Sequence, residues 1–168
     1  MGSQEPSVRI TPEYIHTDGE DAVKILAAGR LFVDPWQEGV LHDWMGRTEE
    51  EIWSAPTCGL SVPRQNGKTL DTSGRIASGM VMYAEWIVYT AHLQKTATET
   101  FMELKGLFES RGLKKYVKEI KTALGREQII LKNGGRVVFV ARTRNGGRGL
   151  HGDLLVFDEA QELTSEQQ

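Results

Sequence analysis

The sequence has little that would place the chain in an oxidising compartment or in a lipid bilayer. Its single cysteine, Cys58, cannot form an internal disulfide, which favours a reducing compartment. No stretch approaches the roughly 18 consecutive apolar residues of a membrane span, and residues 1–7 lack the apolar core of a signal peptide. We therefore expect a soluble protein that is neither secreted nor anchored in a membrane.

The chain also lacks an excess of basic residues. Its 20 Lys and Arg residues stand against 23 Asp and Glu residues, so the formal net charge is -3. This balance gives no global attraction to nucleic acid, so any DNA contact would have to come from local basic clusters or from parts of the protein not present in this chain. The composition, with 39% hydrophobic and 26% charged residues in a chain of 168, is typical of one soluble globular domain.

Apolar spacing predicts alternating helices and strands. Helices are expected over residues 18–28, from Pro35 to about Met45, from Lys68 to about Tyr83, and over the run that begins near Leu93. Strands are expected over residues 57–62, 86–91 and 154–157; the first is expected to be buried in a parallel sheet, with Cys58 as a buried free thiol. Residues 128–131 and 136–141 flank an Asn-Gly-Gly turn, which predicts an antiparallel hairpin at the edge of the sheet.

One loop has the clearest chemical signal. The segment Pro63-Arg64-Gln65-Asn66-Gly67-Lys68-Thr69 opens the third predicted helix. Gly67 allows a tight turn that points N–H groups at an anion, Lys68 can reach the β- and γ-phosphates, and the Thr69 hydroxyl can ligate Mg²⁺. The helix N-terminus adds to the same anion site. The usual phosphate-binding loop has a glycine where this chain has Val62, so an Asn-Gly turn without a ligand is the alternative.

Two acids, Asp158 and Glu159, follow the last predicted strand. Ligands of open parallel sheets bind beyond the carboxyl ends of the strands, where the loop at Gly67 is also expected. An aspartate there can hold Mg²⁺, and the next glutamate can orient the water that attacks a γ-phosphate. The alternative is that both acids begin an exposed turn. With the loop, they predict an α/β, P-loop NTPase-like, three-layer α/β/α fold with a mostly parallel sheet and an inserted β-hairpin.

These motifs resemble those of the large terminase subunits of tailed bacteriophages. Residues 62–69 are similar to that family's variant phosphate loop, in which Arg-Gln-x-Gly-Lys-Ser/Thr is typical and the leading glycine is often absent. Residues 155–162 are similar to its metal-binding and catalytic-glutamate segment, and Pro35-Trp36-Gln37 resembles its adenine-recognition motif. Residues 89–94 occupy the place of a motif shared with superfamily 2 helicases. The likeness begins at about Phe32.

The resemblance implies a Mg-dependent ATPase motor that drives double-stranded DNA into a preformed capsid in the host-cell cytoplasm. Its partners would be the small terminase subunit and the portal protein, on which identical subunits form a ring. By family likeness, Asp158 would bind the metal together with Thr69, and Glu159 would be catalytic. The residues implied in ATP binding are Gln37, Arg64, Gln65, Asn66, Gly67, Lys68 and Thr69.

Gln37 and the arginines have competing interpretations. Gln37 would read the adenine edge, but it is also the third helical residue, where it can bond back to the N-cap backbone for about 1 kcal/mol. Arg64 can supply charge to the γ-phosphate in cis. Arg148 resembles in position an arginine that some terminases insert into the neighbouring site; it can equally be an exposed loop residue or a DNA-phosphate contact. Arg142 and Arg144 are weaker candidates for the same role.

The resemblance also predicts the domain organisation. Residues 1–30 would form an N-terminal segment with a short helix, and residues 31–168 an ATPase domain incomplete at its C-terminus, without the family's nuclease domain. Thr164-Ser165-Glu166-Gln167 has the form of a helix start. We thus expect a terminase fragment that binds nucleotide weakly and does not cut DNA. The rival interpretations are a superfamily 2 helicase-like, DNA-dependent ATPase and a truncated, non-catalytic assembly fragment.

Overall fold

The computed structural model describes residues 4–63, 66–142 and 151–163. The helices are α1 (Gly19–Ala28), α2 (Pro35–Trp44), α3 (Lys68–Tyr83) and α4 (Gln94–Glu109). The strands are β1 (His16–Thr17), β2 (Gly46–Arg47), β3 (Trp86–Ala91), β4 (Val117–Lys121), β5 (Gln128–Leu131), β6 (Arg136–Ala141) and β7 (Leu154–Phe157). The protein is therefore mixed α/β, and it divides into two compact units at a boundary between Ser78 and Gly79, within α3.

The first unit is built on the packing of α1 against α2. Leu26 of α1 and Leu41 of α2 are fully buried. A Cβ added at Gly74 of α3 would lie 2.9 Å from Leu26 Cδ1 and 3.1 Å from Leu41 Cδ2. The absence of a side chain at Gly74 thus lets α3 approach the other two helices. The sequence correctly indicates close packing at this glycine, but the partner is a pair of helices and not a sheet.

The strand expected over residues 57–62 is not formed, and Cys58 is exposed instead of buried. Pro56 and Pro63 flank the segment, and neither has the N–H that a ladder needs. Gly59 has no side chain to pack, which weakens a strand further. No described strand pairs with these residues, so their alternation of apolar and polar side chains does not produce a buried strand.

The buried face of α3 also differs from the one expected. The helical spacing predicts Leu70, Ala77, Val81 and Ala84 on the buried face of this helix. Val81 is instead half-buried, and Ala84 lies exposed beyond the helix end at φ 56°. Ile76 and Met80 are fully buried in their place, together with Ala77. The helical period was correct and the assigned face was rotated, because glycines and small residues leave the apolar stripe of this helix weakly marked.

The second unit contains a five-stranded sheet with the order β4-β5-β6-β3-β7. β3 pairs in parallel with β6 on one side and with β7 on the other, whereas β5 is antiparallel to both β4 and β6. The sheet is thus mixed and not mostly parallel. The β5–β6 hairpin forms as expected, with Gly134 at φ 99° in its turn, but β6 lies next to β3 inside the sheet and not at its edge.

α4 covers β3 and β6 through a continuous apolar face. Phe101 of α4 contacts Phe139 of β6 with ring centroids 5.4 Å apart, and Phe139 contacts Tyr89 of β3 at 5.3 Å. All three rings are buried, so this aromatic cluster fixes α4 against the carboxyl halves of the strands. Among the described residues, no helix is both long and apolar enough to cross a membrane.

Candidate functional site

The residues singled out from the sequence fall into two groups, one in each unit. The loop group consists of Gln37, Asn66, Gly67, Lys68, Thr69 and the neighbouring Asp71. The acid group consists of Tyr89, Thr90, Arg142, Asp158 and Glu159. Four predicted positions, Arg64, Gln65, Arg144 and Arg148, lie outside the described residues.

The turn of the loop group has the backbone expected of a phosphate-binding loop. Gly67 adopts φ 83°, a left-handed conformation that side-chain-bearing residues rarely adopt, and α3 begins at the next residue, Lys68. The Leu70 N–H donates to the Gly67 carbonyl at 2.9 Å, closing the first turn. The N–H groups of this turn have no helical acceptor, so together with the helix dipole they favour an anion.

Gln37 connects the start of α2 to this turn. Its Oε1 accepts the Asp34 N–H at 2.8 Å, and its Nε2 donates to the Gly67 carbonyl at 3.0 Å. The side chain is only 4% exposed. The capping bond weighed from the sequence is therefore present, and the bond to the loop was not expected. Adenine recognition by Gln37 stays a prediction, because both ends of the buried amide are engaged within the chain and the Asp71 carboxylate lies beside it.

Gly67 is also required for space. A Cβ at this position would lie 2.9 Å from Gln37 Nε2, in addition to the strain of the positive φ. A side chain here would therefore displace the glutamine that holds the loop. The turn and the capping residue are mutually dependent, although 30 residues separate them in sequence.

Asp71 is an unexpected member of the loop group. It lies in the first turn of α3, its side chain is fully buried, and neither carboxylate oxygen makes a hydrogen bond of good geometry to a described residue. Burial raises the pKa of Asp71 to about 7, and the nearby Gln37 amide opposes that shift only in part. From the sequence, an acid in a first turn indicates only a favourable dipole contact, so nothing there marked this carboxyl as buried.

In the acid group, Asp158 is held by two donors. The buried Tyr89 hydroxyl donates to Asp158 Oδ2 at 2.6 Å, and the Glu159 N–H donates to Asp158 Oδ1 at 2.9 Å. The Tyr89 hydroxyl also lies 3.0 Å from Thr100 Oγ1 of α4. Burial, followed by the bond to the carboxylate, raises the pKa of Tyr89, so the phenol stays a donor. The half-buried Asp158 is thus oriented by the core and does not simply begin an exposed turn.

Arg142 ties together the carboxyl ends of three strands. It directly follows β6, its Nη1 donates to the Thr90 carbonyl at 3.1 Å, and its Nη2 donates to the carbonyls of Asp158 at 2.8 Å and Glu159 at 3.1 Å. Nη1 also lies 3.2 Å from Thr90 Oγ1. Burial lowers the pKa of Arg142, while the neighbouring carboxylates oppose that shift. The guanidinium is therefore engaged within its own chain.

The backbone of Glu159 is strained. This residue adopts φ 52° and ψ 52°, the left-handed region that costs a non-glycine residue roughly 1 to 2 kcal/mol. Its carbonyl accepts from Arg142 and from the Glu162 N–H at 3.0 Å. The conformation persists because these bonds fix it, and strain of this kind clusters at functional sites.

The donor sets fit a magnesium nucleotide and do not resemble a protein-only metal centre. No group of three or more His, Cys, Asp or Glu side chains suited to a metal ion occurs in the part of the chain that the structure describes. Magnesium at phosphate sites takes one or two protein oxygens, with phosphate and water supplying the rest. The Thr69 hydroxyl of the loop group and the Asp158 carboxylate of the acid group are each an oxygen donor of this kind.

Comparisons of the chain with models of known protein families, with curated proteins and with solved structures found no match. Assignment of a function therefore depends on the residues and on their geometry.

Proposed function

We propose that this chain is the ATPase domain of a large terminase subunit, with a P-loop NTPase fold, which hydrolyses ATP with Mg²⁺ to move double-stranded DNA into a viral procapsid in the cytoplasm of the host cell. The observation that carries the proposal is the turn at Gly67, with φ 83° directly before a helix that starts at Lys68. A left-handed glycine turn directly before a helix is compatible with a tight loop whose backbone N–H groups cradle phosphate. The oriented carboxylate of Asp158 and the fixed turn at Glu159 support the same function.

Each residue of the proposed site has a separate role. The first-turn N–H groups of α3 and the Lys68 ammonium bind the phosphates, and the Gln37 amide holds the loop and reads adenine. By likeness to the family's motifs, Thr69 and Asp158 would each supply an oxygen ligand to Mg²⁺, and the ion would supply charge that neutralises the phosphates. Glu159 orients the attacking water. Arg64 and Arg148 remain the proposed sources of charge for the transition state, in cis and in trans.

The helicase-like alternative uses the same groups, so the phosphate site does not separate it from a packaging motor. A strand-unwinding assay does: a terminase translocates on duplex DNA without separating the strands, whereas a helicase releases a single strand. The non-catalytic assembly alternative predicts that neither ATP binding nor hydrolysis occurs.

The proposal is tested by separating hydrolysis from binding. Glu159→Gln keeps the size and hydrogen-bonding capacity of the side chain but removes the charge that polarises water. We expect it to retain ATP affinity within about threefold and to lose about 100-fold or more in turnover, because proton-transfer groups contribute on this scale. The matched control is Glu162→Gln, a change at an exposed acid three residues away. Equal turnover for both variants would contradict the assignment of Glu159.

A further inference from the structure

Basic residues are concentrated in one segment of this acidic chain. Residues 111–132 contain seven Lys and Arg residues and two acids, a net charge of +5, whereas the rest of the chain contains 13 basic and 21 acidic residues, a net charge of -8. Such asymmetry within a chain is typical of a surface that contacts a polyanion. The basic residues of the segment are Arg111, Lys114, Lys115, Lys118, Lys121, Arg126 and Lys132.

All seven of these side chains are exposed, and most of them are not neutralised by the protein. Of the two acids, Glu127 is buried and accepts a 2.8 Å hydrogen bond from Thr98 Oγ1, so it adds little negative charge to the surface. Glu119 is exposed and lies 3.9 Å from Lys121 Nζ. Within the described chain, Lys114, Lys115, Lys118 and Lys132 form no ion pair.

The structure places these lysines along one edge of the sheet. Among the described strands, β4 lies at the end of the sheet and pairs with β5 alone. Lys114 and Lys115 lie in the helical turn directly before β4, and Lys118 lies at the irregularity in its pairing. The Lys132 N–H donates to the Tyr116 carbonyl at 2.9 Å, which brings Lys132 to the same edge. The outward N–H groups of an edge strand can donate to phosphate oxygens alongside the ammonium groups.

We propose that this basic edge, residues 114–121 with Lys132, is the surface through which the chain contacts the phosphate backbone of double-stranded DNA. The inference rests on the proposed function for its choice of DNA, and it adds the location of the contact. The charges are exposed, all but Lys121 are unpaired in the described chain, and they follow an edge strand and the turn before it, which suits a linear polyanion. The acidic remainder of the chain repels DNA elsewhere, so it orients the basic edge toward the duplex.

The test is the salt dependence of binding to a 30-base-pair duplex, measured by fluorescence anisotropy. Lys115→Gln/Lys118→Gln removes two charges from the edge; Lys24→Gln/Lys95→Gln removes two exposed charges from other helices and is the matched control. We expect the edge variant to bind about tenfold more weakly and to reduce the slope of log K against log salt by about 2, since each phosphate contact contributes about 0.9. The control variant should match the unmodified protein.

A second measurement uses the unmodified protein, so that it does not depend on the folding of a variant. Lysine acylation with and without the duplex should show protection of Lys114, Lys115, Lys118 and Lys132, and none of Lys24 or Lys95. Equal protection everywhere, absence of DNA binding at about 50 mM salt, or equal weakening in both double variants would overturn the proposal. So would preferential binding of the edge to anionic lipid vesicles. If the protein hydrolyses ATP but the edge substitutions do not affect DNA binding, the proposed ATPase function stands and the proposed DNA-binding surface is wrong.

Discussion

The loop group and the acid group are held in place by different means. The loop turn is held by a hydrogen bond from the Gln37 side chain and by a glycine conformation that residues with side chains rarely adopt. The turn at Asp158 and Glu159 is fixed by hydrogen bonds from a buried tyrosine and from an arginine that bridges three strands. The comparison teaches that the loop depends on backbone geometry, whereas the acids depend on side chains of the sheet.

The largest effect is expected at Gly67. Gly67→Ala introduces a Cβ 2.9 Å from Gln37 Nε2 and strains a backbone at φ 83°. Because both the turn and its hydrogen bond from Gln37 are disturbed, we expect ATP affinity to fall roughly 100-fold in a binding titration, with a stability loss of about 1–3 kcal/mol. Gly125→Ala is the matched control, since Gly125 has φ 72° and open space around its Cβ position. If Gly67→Ala and Gly125→Ala bind ATP equally well, local strain alone explains any loss of affinity, and the assignment of the loop as the phosphate site fails.

Asp71 makes the loop group sensitive to pH. Its pKa is raised from 3.8 to about 7, so between about pH 4 and pH 7 the native state keeps a proton that the unfolded state releases. Stability therefore falls as pH rises through this window and stays lower above it. Asp71→Asn cannot ionise, and we expect it to raise the free energy of unfolding at pH 8 by about 3 kcal/mol, with little change at pH 4.

Urea denaturation at pH 4 and pH 8 measures this difference. Asp21→Asn is the control, because Asp21 lies at the surface beside Lys24 at 2.8 Å. A parallel pH dependence for Asp71→Asn and the unmodified protein would show that the buried carboxyl does not titrate in this range.

The sequence predicts a structural element well where the signal lies in neighbouring residues, and poorly where it depends on residues far away in sequence. The bounds of β3, β6 and β7 and of α3 follow from apolar runs, proline, glycine and helical spacing within a few residues. β4 was not predicted, because a lysine-rich edge strand has no apolar run. The segment 57–62 was wrongly predicted as a strand, since pairing depends on a neighbour that the apolar pattern does not specify.

The candidate site is likewise predictable from the sequence only where the signal is local. The motif residues were identified from their order along the chain, but the bonds that hold them join residues far apart in sequence. Arg142 contacts Thr90 across 52 residues, and Tyr89 contacts Asp158 across 69. A buried tyrosine in a strand predicts only core packing, and an arginine after a strand predicts only exposure. Their roles appear when the sheet brings β3, β6 and β7 together.

A substitution at Arg142 tests the role of the acid group. Arg142→Lys keeps the charge but removes the planar fork that bonds Thr90, Asp158 and Glu159 together. We expect turnover to fall about 100-fold while ATP affinity changes less than threefold, because the loop group is untouched. Arg126→Lys, at an exposed position, is the control. Mixing Arg142→Lys subunits with Glu159→Ala subunits should restore no activity; recovery would mean that Arg142 acts on a neighbouring subunit.

The smallest effect is expected for Tyr89→Phe. This change removes the 2.6 Å bond to Asp158 and leaves the ring packed against Phe139. We expect about tenfold more Mg²⁺ to be needed for half-maximal turnover, and a stability loss of about 1–2 kcal/mol. Tyr116→Phe, near the surface, provides the comparison. An unchanged Mg²⁺ requirement would show that the tyrosine does not position the carboxylate.

Titration of ATP with Mg²⁺ into the unmodified chain and into Lys68→Ala tests the central claim most directly, with Lys95→Ala as the control for loss of an exposed lysine. We expect saturable binding of ATP. Lys68→Ala should weaken it at least tenfold, and Lys95→Ala should leave it unchanged. Equal binding by all three proteins, or no binding by the unmodified chain at millimolar ATP, would contradict a phosphate site at the start of α3.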